Sequence, residues 1–419
     1  MTPEPHKGGR IVARFTPGDS ANGAEREQLT HDARIHVEQS KPPIIIKPSP
    51  FIWRDPASMQ TRQWQYGRHL IRKFVSATVA AGGVGKSILG LAEDVAMSTG
   101  CDLLGQRIIA PLRVWSWNGE DPRDELEKRI AAICLHYGVK EEDIGDRLFL
   151  DSGREQEIII AHMVRNGFTI ATPVVEAVIA AIVADCIDVV RIDPFVSSHR
   201  VTENDNNAID AVAKTWAKIA DVTGCAIDLV HHVRKTGGAE VTAEDARGAS
   251  SLIGAVRHLR VLNVMTVDEA AKAGVENRRL YFRVDDAKAN LAPQSDKSEW
   301  FHLASVSLGN GNGGPDDLVG VATPWEWPDP LDNVSVHDLR AVQEEVDKGK
   351  WRANVQAEDW VGKAVAKAMK LDVSDKRHRA KINGLLKIWK STGALVEVDG
   401  KDDKRNTRIY VEVGTPAND

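Results

Sequence analysis

The sequence predicts an α/β protein, a mostly parallel sheet covered by helices on both faces, followed by a small α+β domain. Three observations carry this expectation. β-rich runs alternate with amphipathic helical stretches through the middle of the chain. The first of those runs, "FVSATVA", leads directly into the glycine-rich turn "AGGVGKS". Beyond residue 334 the pattern changes to three short helices and a hairpin.

The bulk numbers fit that reading. At 419 residues the chain is long enough for two domains and some irregular sequence. It is 42% hydrophobic and 27% charged, the composition of a globular protein. A net charge of -6 argues against a chain that is basic throughout, but leaves room for local basic patches. Cys101, Cys134, Cys186 and Cys225 form no CxxC pair, so small buried thiols in a reducing compartment are expected rather than a metal or redox site. No apolar run has membrane-spanning length and the N-terminus has no secretory apolar region, so no membrane partner and a cytoplasmic location are expected.

Taken in order, residues 1–49 are rich in Pro, Gly and charge and read as a disordered arm. Trp53, Trp64 and Tyr66 open an ordered domain expected over 50–308. After "FVSATVA", the stretch "KSILGLAEDVAMSTG" places Ile88, Leu91, Ala92 and Val95 on one helical face, with Gly100 to stop it. "LRVWSW" is a strand. Asp121 is expected to cap the next helix, with Pro122 at its first position. "PVVEAVIAAIVAD" is a helix and "IDVVRID" a strand. "NAIDAVAKTWAKIADVTG" is a helix with Ile209, Val212, Trp216 and Ile219 at core spacing. "CAIDLVHH" is a strand, "SSLIGAVRHLRVL" reads as a helix and "RRLYFRVDD" as a strand. Residues 309–334, rich in Pro, Gly and Trp, read as a connector.

The turn after the first strand nearly spells a phosphate-binding loop, which wants Gly, four residues, Gly, Lys and Ser or Thr. Such a loop works because successive backbone N–H groups at a helix N-terminus point onto phosphate oxygens. Gly82, Gly83 and Gly85 allow the tight turns, flanked by Val84 and Ile88. Lys86 would neutralise the β- and γ-phosphates and Ser87 would ligate Mg²⁺. Ala80 stands where the first glycine belongs, and its small side chain is tolerated if its φ is negative. ATP and Mg²⁺ are therefore the expected cofactors. Asp193, ending "IDVVRID", suits the metal's water shell. Glu120, just past "VWSWNG", suits orientation of an attacking water. His231 and His232, ending "LVHH", suit a sensor of the γ-phosphate. Arg191 is an unexplained charge in a central strand.

Residues 335–419 have the element order of a winged helix. Its third helix, expected from Ser374 to Ser391, sets Ile382, Leu385, Leu386 and Trp389 opposite Lys376, Arg377, Arg379 and Lys381, so it is expected to contact DNA.

In combination, "FVSATVAAGGVGKS", "VWSWNGEDPRDELEKRI", "VVRIDPFVSSH", "HHVRK", "EDARGASSL" and "KANLAP" resemble the plasmid RepA-type hexameric helicases, RecA-fold ATPases related to the DnaB replicative helicases. The resemblance covers roughly residues 50–330 and implies a RecA-like P-loop NTPase core. It implies the roles just given for Lys86, Ser87, Glu120, Asp193, His231 and His232. It also implies an arginine that reaches the neighbouring subunit's ATP: Arg257, with Arg247 and Arg260 as alternatives, and Lys288 as a second intersubunit cation. DNA would be gripped by the loops after the Asp193 and histidine strands, through His199, Arg200, Arg234 and Lys235. The implied protein is an ATP-dependent helicase, a homo-hexamer moving on single-stranded DNA in replication of a plasmid, phage or mobile element, with a replication initiator or primase as partner. The rival expectations are a RecA-like ATPase in recombination or regulation without unwinding, and a nucleotide-binding switch or small-molecule kinase. One departure is Ala81, where the family usually has proline.

Overall fold

The computed structural model describes residues 46–233, 240–242 and 250–417. Two units are distinguished, one ending at Gln60 and one starting at Thr61. In the first, Asp55 caps a short 3-10 helix, Pro56–Ser58, by accepting from the Ala57 N–H at 3.0 Å. Nearly all of the expected arm lies outside the described residues.

The second unit runs β1 (Trp64–Tyr66), β2 (Leu70–Ile71), β3 (Val75–Ala80), α1 (Lys86–Thr99), β4 (Val114–Asn118), α2 (Arg123–Tyr137), α3 (Glu141–Ile144), β5 (Leu148–Ser152), β6 (Ala161–Val164) and β7 (Gly167–Ile170). It continues through α4 (Thr172–Ala184), β8 (Val189–Asp193), α5 (Asn206–Thr223), β9 (Ala226–His232), α6 (Ser250–Ala255), β10 (His258–Val264), α7 (Val267–Ala273), β11 (Tyr281–Ala289), β12 (Glu299–Ser307) and β13 (Leu318–Pro324). Nine strands form the main sheet in the order β13-β12-β11-β10-β3-β9-β8-β4-β5. From β10 to β5 every neighbouring pair is parallel; β11, β12 and β13 extend the sheet antiparallel. The central strands are buried on both faces because helices cover both. On one face α4 and α5 bury Val178, Ile182, Val212 and Trp216; on the other α1 buries Leu89, Ala92 and Val95. Local signals set the ends of these helices. Asp205 caps α5 by accepting from Asn207 and Ala208, and Gly100 and Gly224 close α1 and α5 in the left-handed conformation.

Arg191, unexplained by sequence, is the hub of a buried charge network. It donates to Glu93 at 2.9 Å and Asp94 at 2.9 Å on α1, and to Asp228 on β9. Arg260 on β10 donates to both oxygens of Glu93, at 2.5 and 2.7 Å, and to the Thr78 hydroxyl on β3 at 3.0 Å. Thr78 in turn donates to Asp228 at 3.1 Å. Four central strands are thereby tied to the helix that follows the phosphate loop. Gly90 makes room, since a Cβ there would meet Arg191 Cδ at 3.1 Å. Burial pushes the Asp94 carboxyl up to about 6 despite Arg191, whereas Arg260 and Arg191 outweigh burial at Glu93 and hold it below its ordinary value.

The C-terminal domain runs α8 (Val336–Asp347), β14 (Trp351–Arg352), α9 (Gly362–Met369), α10 (Lys376–Ser391), β15 (Leu395–Lys401) and β16 (Thr407–Val413), with strand order β14-β16-β15. Its separate core includes Val342, Val365, Ile382, Leu385, Leu386 and Trp389. Helix, strand, two helices and hairpin is the winged-helix order. Ser335 and Asp338 form a capping box on α8, and Asp375 caps α10 by accepting from the His378 N–H at 2.9 Å.

Several expectations need correction. "SSLIGAVRHLRVL" is not one helix: it breaks after Ala255, and its second half is β10, buried between β3 and β11. The connector does not start at 309, because β13 closes the sheet as far as Pro324, so the boundary expected at 308 falls inside the core. Strands β5, β6, β7 and β12 were not foreseen. Asp121 does not cap α2; Pro122 is the cap residue, and the Asp121 carboxylate accepts from Arg129 at 2.7 Å. Of the four free cysteines only Cys225 is buried, while Cys101 and Cys186 are exposed.

Candidate nucleotide-binding and catalytic site

The parallel strands β3, β4, β8 and β9 all end on one edge of the sheet, the edge where ligands bind in open α/β folds. The turn between β3 and α1 carries the phosphate-loop residues. Gly83 has φ +78° and Gly85, the N-cap of α1, has φ +116°, values that favour glycine. A Cβ on Gly85 would also meet the Phe282 ring at 3.3 Å. Ala80 and Ala81 have no positive φ, so neither position requires glycine and the departure at Ala80 leaves the loop intact. The loop ends at the N-terminus of α1, whose first N–H groups have no intrahelical partner. Lys86, Ser87 and Ile88 form the first turn of α1 there, and Val84 packs into the core beside them.

The Lys86 side chain is buried and folds back over the loop, donating to the Ala80 carbonyl at 3.1 Å and the Ala81 carbonyl at 2.8 Å. Burial pushes its ammonium down to about 8, against the opposing pull of Asp193 and Glu120. Asp193 ends β8, and Glu120 lies two residues beyond β4, at the same end of the sheet. Asn118 pairs with Asp193 across β4 and β8, and the Gly119 N–H donates to the Asp193 carbonyl at 2.8 Å. Asp193 is buried and Glu120 is exposed.

His231 and His232 lie beside Val79 and Ala80 in the parallel register of β9 with β3, at the threshold of the loop. Burial lowers both, His231 to about 4, and Lys86 adds to the effect, so both imidazoles are neutral at physiological pH. His231 Nδ1 and His232 Nε2 are buried without a hydrogen-bond partner among the described residues. Unpartnered ring nitrogens beside a lysine, a buried carboxylate and a glycine cradle fit a polyphosphate with Mg²⁺, for which Ser87 and Asp193 are the available oxygen ligands.

Sequence reasoning passed over Asn118 and Gly119, which shape this edge. The Asn118 side chain accepts from the N–H groups of Glu120 at 2.9 Å and Asp121 at 2.8 Å, fixing the turn that presents Glu120. Arg154 holds the Glu120 carbonyl at 2.7 Å. A Cβ on Gly119 would clash with Ser197. The Asn-Gly pair after an apolar run is itself a turn signal that could have pointed here.

The expected intersubunit residues separate. Arg257 is exposed at the start of β10, where its N–H donates to the Val75 carbonyl at 3.0 Å. Val75 opens β3 and the phosphate loop follows its end, so Arg257 sits at the opposite edge, about 16 Å away along the strand. Arg260 is 4% exposed and committed to Glu93 within its own chain, which removes it as an intersubunit cation. Lys288 is likewise engaged: it donates to the carbonyls of Ile253 at 2.7 Å and Gly254 at 3.4 Å at the C-terminal end of α6. Arg247, Arg234 and Lys235 lie outside the described residues.

Of the expected DNA contacts, Arg200 is exposed and pairs with Glu157 at 3.3 Å. His199 is not available: it is buried against Phe195 and pushed down to about 4 by burial, so it is neutral. Lys376, Arg377 and Arg379 are exposed on the first turn of α10, and Lys381 donates to the Asp332 carbonyl at 2.6 Å.

Residues 40–238 match the family model described as an AAA domain. The match takes in the phosphate loop, Glu120, Asp193 and both histidines, and ends before Arg257 and the C-terminal domain. No helix among the described residues is long and apolar enough to cross a membrane.

Proposed function

From the premise of an AAA-type P-loop ATPase domain, we propose that the protein is an ATP- and Mg²⁺-dependent DNA helicase of RepA type, assembling as a homo-hexamer on single-stranded DNA. The observation that carries the reading is the placement of Arg257. An exposed arginine at the sheet edge opposite its own phosphate loop cannot serve its own nucleotide, but in a head-to-tail ring it meets the loop of the next copy.

Within each site the loop N–H groups and the positive end of α1 hold the phosphates. Ser87 and Asp193 would hold Mg²⁺, which would supply neutralisation of the polyphosphate charge. Lys86 releases the Ala80 and Ala81 carbonyls and turns its ammonium to the phosphate oxygens. Glu120, presented by the Asn118 turn, accepts a hydrogen bond from the attacking water and orients it in line. Neutral His231 and His232 donate to or accept from groups at the γ-position. Arg257 of the adjoining copy stabilises charge on the transferring group. A replication initiator or primase is the proposed partner of the assembled ring.

The test is strand displacement on a forked duplex with ATP and Mg²⁺, with Lys86→Ala as control. Unwinding by wild type alone supports the reading. ATP hydrolysis stimulated by single-stranded DNA, but with no displacement, would replace it with a DNA-dependent ATPase that does not unwind.

A further inference from the structure

The basic helix α10 is anchored against the rest of the chain at two points. Its first turn packs on the C-terminal end of α7 in the ATPase core. Gly274 closes α7 with φ +69°, and a Cβ there would come within 2.6 Å of Arg377 Cα. Farther along, Gly384 lies against Pro330 of the connector. The helix is thus held at two points, while Lys376, Arg379, Asn383 and Lys387 stay exposed along it.

Two grooves adjoin this contact and share Gly274, Val275, Glu276, Asn277 and Ala380 in their walls. The first, about 570 Å³, is lined by Arg278, Arg279, Lys376 and Arg379, with Glu276 as its single carboxylate. The second, about 640 Å³, is lined by Lys272, Arg377, Lys381 and the aromatic rings of Tyr281 and Trp325, with Glu276 and Asp329 on its wall. Tyr281 and Trp325 meet edge to face at 5.2 Å, and Trp325 is backed by Trp300 at 5.8 Å and by Trp327, itself 39% exposed, at 5.7 Å. Helix stability does not account for the cations. Lys376, Arg377 and Arg379 crowd the positive end of α10, no acid occupies its first turn, and cations there oppose the macrodipole. An anion in the grooves would turn that cost into attraction.

We propose that the two grooves together bind one strand of DNA, with the cations on its phosphates and Trp325 and Tyr281 stacking on its bases. Cations beside aromatic faces in a groove are the chemistry of single-strand binding. This deepens the DNA reading above and rests on it. It places a second strand-binding surface at the junction of the ATPase core and the C-terminal domain, so that movement between them changes the grip.

The experiment is fluorescence anisotropy of the full chain with a labelled oligothymidylate of about 20 nucleotides, and with a blunt duplex of the same length, over a range of salt. Trp325→Ala is expected to weaken single-strand binding about tenfold, and Trp325→Phe, which keeps an aromatic face, to restore most of it. Arg279→Ala, an exposed change, is expected to lower the slope of log affinity against log salt by about 0.7; it carries the test if Trp325→Ala melts early. Wild-type affinity and slope in both variants would overturn the groove while leaving the DNA reading intact. Tighter binding of the blunt duplex than of the single strand would overturn the groove and return α10 to duplex reading. No single-strand binding by wild type would overturn both.

Discussion

Arg191 on β8 donates through one nitrogen to both carboxylate oxygens of Asp94 on α1, at 2.9 and 3.1 Å, in the dry interior between strand and helix. Its other nitrogens reach Glu93 and Asp228. Three buried carboxylates are held by two arginines, Arg191 and Arg260, so neither cation can be withdrawn cheaply. Arg191→Met, which keeps much of the volume, is expected to cost about 3–5 kcal/mol by leaving Asp94 without its cation and Asp228 with only Arg260 at 3.8 Å. Urea denaturation of the two proteins measures it; a loss below about 1 kcal/mol would contradict a structural role for the network.

The lowered value of Lys86 has a calorimetric consequence. Near pH 8 the buried ammonium is partly deprotonated, and phosphates beside it restore the proton. ATP binding should therefore take up about half a proton per site at pH 8, seen as a dependence of binding enthalpy on buffer ionisation enthalpy. His231, already neutral with a value of about 4, adds nothing there. The fold itself should gain stability as pH rises from about 8 toward 10.5, because over that range the unfolded chain binds the proton and the folded chain does not. Equal enthalpies in two buffers at pH 8 would contradict this account of Lys86.

Glu120 is exposed and does not pack in the core, so replacing it should affect chemistry and not folding. Glu120→Gln is expected to lower kcat about 100-fold or more while the Kd for a fluorescent ATP analogue stays within about twofold. A parallel rise in Kd would assign Glu120 to binding instead of to the water.

Gly119 sets the approach of the β4 and β8 tips. Gly119→Ala should force Ser197 away and disturb Asp193, costing about 1–3 kcal/mol of fold stability and lowering kcat/KM. The double variant Gly119→Ala/Ser197→Gly removes the nearer of two clashing partners, leaving the Trp117 ring at 2.9 Å, and should recover part of kcat/KM. Failure of the second change to help would mean that Ser197 is not the obstruction.

How far the sequence could be read depended on how local each signal was. The loop, Asp193, Glu120 and the two histidines are short-range patterns at strand ends, and the structure collects them at one edge. Arg191 was opaque because its partners Glu93, Asp94 and Asp228 are close only after β8, β9 and α1 pack. The stretch holding β10 looks helical because Leu252, Ile253, Val256, Leu259 and Arg260 recur at helical spacing, while β10, buried on both faces, shows no alternation; pairing with β3 makes it a strand. β13 was hidden by the Gly, Pro and Trp around it, although its edge position needs little intrinsic preference. The docking of α10 on α7 depends on Gly274, a glycine whose ordinary role as a helix stop gave no hint of a neighbour.

The central claim is that each active centre is completed by Arg257 from another copy, and subunit mixing tests it most directly. Lys86→Ala and Arg257→Ala should each be inactive as ATPases alone. Mixed in equal amounts they should regain hydrolysis, because about a quarter of randomly formed interfaces pair an intact phosphate loop with an intact arginine. Full turnover by Arg257→Ala alone, or a mixture as inactive as its components, would contradict the claim.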